Sequence, residues 1–475
     1  TPPSEGWPVM VWLHPGDFNT GATAWWDGSV LAIKQKFYFQ VIVVTTAYRL
    51  NIFGFLTLMD GCPGNLGLLD QVAALDWVST KIAVFGGSSE NVCVFGHGAG
   101  GSSVGLHVLS PLSAGKFHKA LAMSGSALKP GIIKDPEIQE MFANKLGSSF
   151  GCTKSILLDC LRNLNADPLL TEANKIGTWG PVVDRDLANV SQAFLPKEPI
   201  SLLEEGRFNK VPFMVGYTNM EDALEFEDET VNFDQGISID SFESLMLDAI
   251  DKELQPSDVN DSCSVKPEYI LETIMFFYSP EPQTLDMTQL RQRYIDYTTE
   301  KRYGAGAYQQ AIHTSKFRPT FLYRFDYKPK RSIIDVPEWV RVPHQFELPF
   351  VWGMPYWPML STQIVWNNSD KKITDIIMNF WSNFAKFANP AQNSMNIKWE
   401  QFSEENPGIM ILDRNFNVSD STSFNFKSFS FWNSYYPKVV DASRLCCNNT
   451  DTSSQITSSY VTFAILAGAN YLLIS

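Results

Sequence analysis

Basic residues are in short supply: 37 Lys and Arg stand against 51 Asp and Glu, a formal charge of −14. A surface of that sign repels phosphate backbones, and the dense basic clusters are limited to Lys328-Pro329-Lys330-Arg331 and Lys371-Lys372, so the composition argues against a nucleic-acid partner. Cysteine is sparse as well. The seven present, at 62, 93, 152, 160, 263, 446 and 447, are too few for a scaffold built on disulfides and form no pair of Cys-x-x-Cys steps of the kind zinc needs. No metal and no other cofactor is expected. There is no internal repeat, and no low-complexity tract beyond the Ser/Thr stretch near residue 450. The one long apolar run, YVTFAILAGANYLLI at 460–474, would span only about 22 Å as a helix, short of the roughly 30 Å hydrocarbon core of a bilayer. An initiator methionine is lacking too: the sequence starts at Thr1 and enters the strand-like PVMVWLH within a few residues, which predicts a further N-terminal portion and leaves a signal peptide neither visible nor excluded.

What is present points to a folded α/β protein. With 44% hydrophobic and 13% aromatic residues the chain can bury a large core, and 475 residues suit either about three domains or one large α/β unit. Val- and Ile-rich runs at 8–14, 39–48, 91–96 and 120–125 do not alternate with polar residues, as strands covered on both faces should not. Between them, residues 65–87 carry apolar side chains at helical spacing and stop at Gly86-Gly87. The pattern predicts a largely parallel, doubly wound sheet flanked by helices. The second half is more helical and aromatic, as in 376–390, where Pro390 marks a stop. The stretch from Glu221 to Asp234 holds seven acids and no base, the usual mark of a solvated face.

One short stretch poses the functional question. In NVCVFGHGAGGSSVG, residues 91–105, a strand runs into a Gly-rich turn and then a helix, the setting in which serine hydrolases carry Gly-x-Ser-x-Gly, yet the pentapeptide reads Gly96-His97-Gly98-Ala99-Gly100. Downstream, Gly101-Ser102-Ser103-Val104-Gly105 matches the string, but Ser103 falls inside the expected helix. Ser102 is one helical turn past Gly98, about 6 Å along the axis, too far for an attacking oxygen. His97, preceding the turn, is expected to point away from the pocket as a local structural residue.

The ordered motifs resemble the type-B carboxylesterases and cholinesterases, and within them the neuroligin-like adhesion branch. They include VMVWLHPGDF (9–18), PGNLGLLDQVAALDWV (63–78), FGGSSENVCVFGHGAGG (85–101), FHKALAMSGSAL (117–128), VPFMVGYTNMED (211–222), HQFELPFVWG (344–353) and FWSNFAKFANP (380–390), and cover nearly the whole chain. The resemblance implies an α/β-hydrolase fold whose N-terminal strands precede Thr1 and are missing here, with a triad in the order Ser, Glu, His. Carried over motif by motif, the acid falls on Glu221, the base on His344 and the nucleophile on Gly98, which has no side chain to attack with. The oxyanion donors fall on Gly16, Asp17 and Ala99, with Pro15 where the family has its first glycine. An Asp17 carboxylate about 4 Å from an oxyanion would oppose it by roughly 4 kcal/mol, whereas turned outward it merely shapes a turn.

The resemblance also matches Cys152 and Cys160 to a family disulfide; their spacing alone fits either a bridge or two thiols. Five sequons, at Asn189, Asn260, Asn367, Asn417 and Asn448, are candidate glycosylation sites. The expected organisation is a hydrolase-like domain over 1–440, a polar linker over 441–459, and an apolar tail over 460–475 that reads as a GPI signal or short membrane segment. The leading expectation is a catalytically inactive, secreted or cell-surface protein that recognises a cell-surface partner and pairs with itself through helices. The alternatives are an ester hydrolase working by a non-standard or residual route, and a carrier holding a small apolar ligand in the former gorge.

Overall fold

The four Val- and Ile-rich runs become strands of one sheet: β1 (Trp7–Leu13), β2 (Ile42–Thr46), β3 (Gly87–His97) and β4 (Lys119–Met123). Further along come β5 (Phe213–Thr218), β6 (Thr320–Phe325), β7 (Ile409–Leu412) and β8 (Asn417–Ser419). Their spatial order is β8-β7-β6-β5-β4-β3-β1-β2, and every pairing is parallel except the last hairpin, β7 with β8. The computed structural model describes residues 2–33, 41–187, 193–224, 232–253, 267–330, 334–358, 364–392, 395–419 and 426–445.

The absence of alternation in the strands has its cause in the packing. Val9, Val11, Val92, Val94, Ala120, Ala122 and Val215 face one core, while their neighbours Met10, Trp12, Cys93, Phe95, Leu121, Met123 and Met214 face a second on the other side. A strand buried on both faces gains by being apolar at every position, at about 25 cal/mol per Å² removed from water. On the first face, α1 (Leu66–Lys81) contributes Leu75 and Val78, and α2 (Ala99–Leu109) contributes Val104 and Val108. Also on that side lie α3 (Met287–Thr299) and, beyond a single π-turn, α4 (Ala305–Ser315), with Leu290 and Ala311 in the core. The second face is covered by α5 (Asn368–Phe387), through Ile373, Ile377, Phe380, Trp381 and Phe384. Beside it Trp12 packs against Phe95 and Trp352, ring centres 4.8 and 5.0 Å away.

Several local expectations meet the structure here. α5 ends at Phe387 with Ala388 left-handed, two residues ahead of the Pro390 stop. Asn367 is the N-cap of that helix, half-buried, its Oδ1 accepting from Ser369 and Asp370 N–H, while Asn417 is exposed on β8. Asn189, Asn260 and Asn448 lie outside the described residues. Cys152 and Cys160 are joined in a disulfide, with Cα atoms 5.7 Å apart. The last described helix, α6 (Tyr436–Leu445), runs past residue 441, where the linker was expected to begin. The rest of that linker and the apolar tail fall outside the described residues, among which no helix is long and apolar enough to cross a membrane.

Candidate functional site

The turn from β3 to α2 is sharp because glycines let two backbones nearly touch. A Cβ on Gly100 would sit 1.9 Å from the carbonyl oxygen of Leu13, an overlap no side chain survives. Gly98, the N-cap of α2, holds φ 55 and ψ −118, a conformation that strains any L-residue. Its N–H donates to the Met123 carbonyl at 2.9 Å, and its own carbonyl accepts from Ser102 N–H at 2.9 Å. A Cβ at this position would point at His344, 3.1 Å from Nε2, and lie 3.5 Å from Cβ of Pro15. The geometry is that of a nucleophile elbow with hydrogen at its tip.

His344 and Glu221 come from separate loops that are stitched together by their backbones. Met220 N–H donates to the Val342 carbonyl at 3.1 Å, and His344 N–H to the Glu221 carbonyl at 2.9 Å. The side chains follow, with His344 Nδ1 lying 2.6 Å from Glu221 Oε2. Glu221 is fully buried and its other oxygen accepts from Thr218 N–H at 2.6 Å and Ser124 Oγ at 2.7 Å, whereas His344 keeps 12% of its side chain exposed. A cavity of about 320 Å³ opens beside the pair, lined among others by Leu224, Phe346, Phe350 and Trp366.

His97, Ser124 and Glu347 complete the cluster, and the sequence motifs assigned no role to the last two. His97 is fully buried, its ring centre is 4.4 Å from that of His344, and its Nε2 is 3.1 Å from Glu347 Oε1 without hydrogen-bond alignment. His97 is the last residue of β3, and its side chain goes to the sheet face that holds Glu347, buried beside that carboxylate and not among the residues that line the cavity. Ser124, left-handed at φ 45, lies between the carboxylates, its hydroxyl 2.7 Å from Glu221 and 3.2 Å from Glu347. Only one of the two can receive its proton.

Two carboxylates this close and this dry do not both ionise freely. Burial, and then the charge of Glu347, push Glu221 up to about 8. Burial pushes Glu347 up as well, but the adjoining His97 and His344 outweigh it and hold the group below its usual range. His344 is pushed well below the ordinary imidazole range by burial first, with the neighbouring His97 and Lys129 adding to the effect. At neutral pH Glu347 is therefore the ionised acid, and the His344–Glu221 pair carries no net charge.

The loop opposite is strained. Asp17 and Phe18 are both left-handed, at φ 50 and 61, and Gly16 has φ 128. The Asp17 side chain is exposed to solvent, and its carbonyl accepts from Asn19 Nδ2 at 2.6 Å. Ala99 opens α2 across from this loop. Neither serine of the second string reaches the site: Ser103 is buried inside α2 and accepts from Gln71 Nε2 at 3.2 Å, and Ser102 is fully buried too. Among the described residues no group of three or more His, Cys, Asp or Glu is placed to hold a metal ion.

A mostly parallel eight-stranded sheet with its elbow after β3 and a Glu–His pair on later loops defines an α/β hydrolase architecture. The carboxylesterase family model matches residues 1–432, and the chain belongs to that family. It is 32% identical to the medium-chain fatty acyl-CoA hydrolase precursor of Anas platyrhynchos over 413 residues, which is 85% of this chain and 68% of that one. Human carboxylesterase 5A is 30% identical over 448 residues, covering 92% of this chain and 72% of that one. Human neuroligin-2 is 31% identical over 397 residues, 81% of this chain; the match spans only 45% of neuroligin-2.

Proposed function

We propose that this chain is a catalytically inactive member of the carboxylesterase family that works by recognising another protein at the cell surface or after secretion. The observation that carries this reading is the hydrogen at the tip of the elbow. Acyl transfer needs an oxygen there, within reach of the imidazole and in line with the acyl carbon, and Gly98 supplies none. Ser102 and Ser103 are held inside α2. Enzymes stripped of a triad nucleophile lose about a millionfold in turnover, so a water polarised at His344 would sustain only a trace. Hydrolase relatives are as similar as neuroligin-2, and ester hydrolysis is therefore the competing reading.

The recognition unit we assign is the hydrolase-like domain over 1–440, with Gly98, Glu221, His344, Gly16, Asp17 and Ala99 as degenerate catalytic positions. A homodimer through helices and attachment by the C-terminal segment belong to the same reading. Two assays on one preparation test it. Exposure to a fluorescent organophosphate is expected to leave the protein unlabelled, and a cell-surface capture assay to retain a protein partner. Stoichiometric labelling, or ester turnover at ordinary hydrolase rates, overturns the proposal.

A further inference from the structure

Away from the catalytic positions, the outer side of α5 forms one wall of a groove. Ser369, Lys372, Ile376, Asn379, Asn383 and Lys386 line it, each three or four positions from the next, so a single stripe of the helix faces it from end to end. The opposite wall is built from chain further on, Gln392, Met395 and Ile397 ahead of β7, and Arg414 and Phe416 between β7 and β8. From Ser369 to Lys386 the helix rises about 26 Å, and the groove holds about 1020 Å³. Its mean cross-section is therefore about 40 Å², less than half that of an α-helix, which is about 10–12 Å across with its side chains. That size suits one extended chain of about eight residues.

The charge in the groove runs against that of the chain. Lys372, Lys386 and Arg414 line it, and among the described residues no acid does, although acids outnumber bases 51 to 37 overall. Among the described residues neither Lys372 nor Arg414 is in an ion pair. The acids on the flanking elements are engaged elsewhere: Asp370 caps α5 and accepts from Tyr327 Oη at 2.7 Å, Asp375 accepts from Tyr356 Oη at 2.9 Å, and Asp413 Oδ1 accepts from the Arg414 N–H at 2.8 Å. Burial pulls Lys386 down to about 8, a cost that a carboxylate beside it would relieve. Between Lys372 and Lys386 the helix rises about 21 Å, so no small anion meets both. The lining between the cations is apolar, with Ile376, Met395, Ile397 and Phe416 half-buried, and Phe387 stands 60% exposed at one end. A sulfated glycan would satisfy the cations and leave these side chains uncovered, whereas a peptide carries both kinds of group.

We propose that the groove along α5 binds an extended segment of a partner protein in which acidic and apolar side chains are combined. The assignment rests on the recognition reading above for the existence of a partner, and not on the chemistry of the elbow. A fluorescein-labelled octapeptide of alternating Glu and Leu is titrated into the purified full chain and followed by fluorescence anisotropy, beside octapeptides of alternating Glu and Ser and of alternating Ser and Leu, and beside heparin. The Glu-Leu peptide is expected to saturate, to weaken with added salt, and to bind at least about tenfold more tightly than either control peptide. Lys372→Glu and Arg414→Glu, both at exposed positions that should fold normally, are each expected to lose at least about fivefold in its affinity, and Phe387→Ser about threefold. Lys154→Glu makes the same change of charge on an exposed residue outside the groove and should leave binding unchanged. No saturation, equal binding of the Glu-Ser peptide, unchanged binding in Lys372→Glu and Arg414→Glu, or an equal loss in Lys154→Glu overturns the assignment. Heparin that binds more tightly than the peptide and ignores Phe387→Ser overturns it in favour of a sulfated glycan. If the peptide fails while cell-surface capture still retains a partner, the groove assignment falls and the recognition reading stands. Stoichiometric organophosphate labelling would strike the inactive reading, and the peptide titration would still decide the groove.

Discussion

Restoring a serine at the elbow, Gly98→Ser, probes the site from both sides. The native φ of 55 suits glycine, and a side chain there carries about 1–2 kcal/mol of left-handed strain. The new Cβ would also stand 3.1 Å from His344 Nε2, so the imidazole must give way by a few tenths of an ångström against the 2.6 Å contact that holds it to Glu221. Unfolding entropy of about 2.1 cal/mol/K per residue over 475 residues is about 1 kcal/mol per kelvin, so the strain alone should lower Tm by about 1–2 °C. Chemically the same change puts a hydroxyl beside the imidazole. The variant should therefore be slightly less stable and should take up an organophosphate at residue 98, slowly, because neutral pH leaves Glu221 poorly ionised. Calorimetry and intact-mass spectrometry read both effects. A more stable Gly98→Ser variant, or a wild type that is labelled as fast as the variant, refutes the reasoning.

Other expectations follow from the same contacts. Glu221 is held above its unfolded value, so the folded state keeps a proton the unfolded chain has lost; this stabilisation is complete below about 4.5 and fades as pH rises through about 8, at up to about 1.4 kcal/mol per unit. Urea unfolding at a series of pH values should show that decline, and Glu221→Gln should flatten it; an unchanged slope removes Glu221 as its source. His344 is shifted the other way, and its contribution is lost as pH falls below about 6.5, which His344→Gln should abolish in the same titration. Breaking the Cys152–Cys160 bridge, which spans eight positions, with Cys152→Ser should cost about 2–3 kcal/mol in denaturant unfolding, and no loss would mean the loop is pinned by other contacts. Phe384→Ala, which empties a fully buried position of α5 under the sheet, should cost about 3–5 kcal/mol by the same measurement.

The frame was legible along the chain alone. Runs such as PVMVWLH can be apolar at every position only if both faces are covered, and that requirement already implies a parallel sheet between helical layers. The glycines of the elbow were legible for a similar reason, since each marks a place where backbones meet, and so was the absence of an attacking group at Gly98. Motif order then brought Glu221 and His344 into consideration. What lies beneath and beside them emerges only on folding. His97, Ser124, Glu347 and Lys129 come from different strands and loops, and no spacing along the chain relates a residue after β4 to one before α5. Their chemistry comes from shared burial: desolvation and the neighbouring charges set which acid keeps its proton, and those quantities exist only once the chain has folded around them.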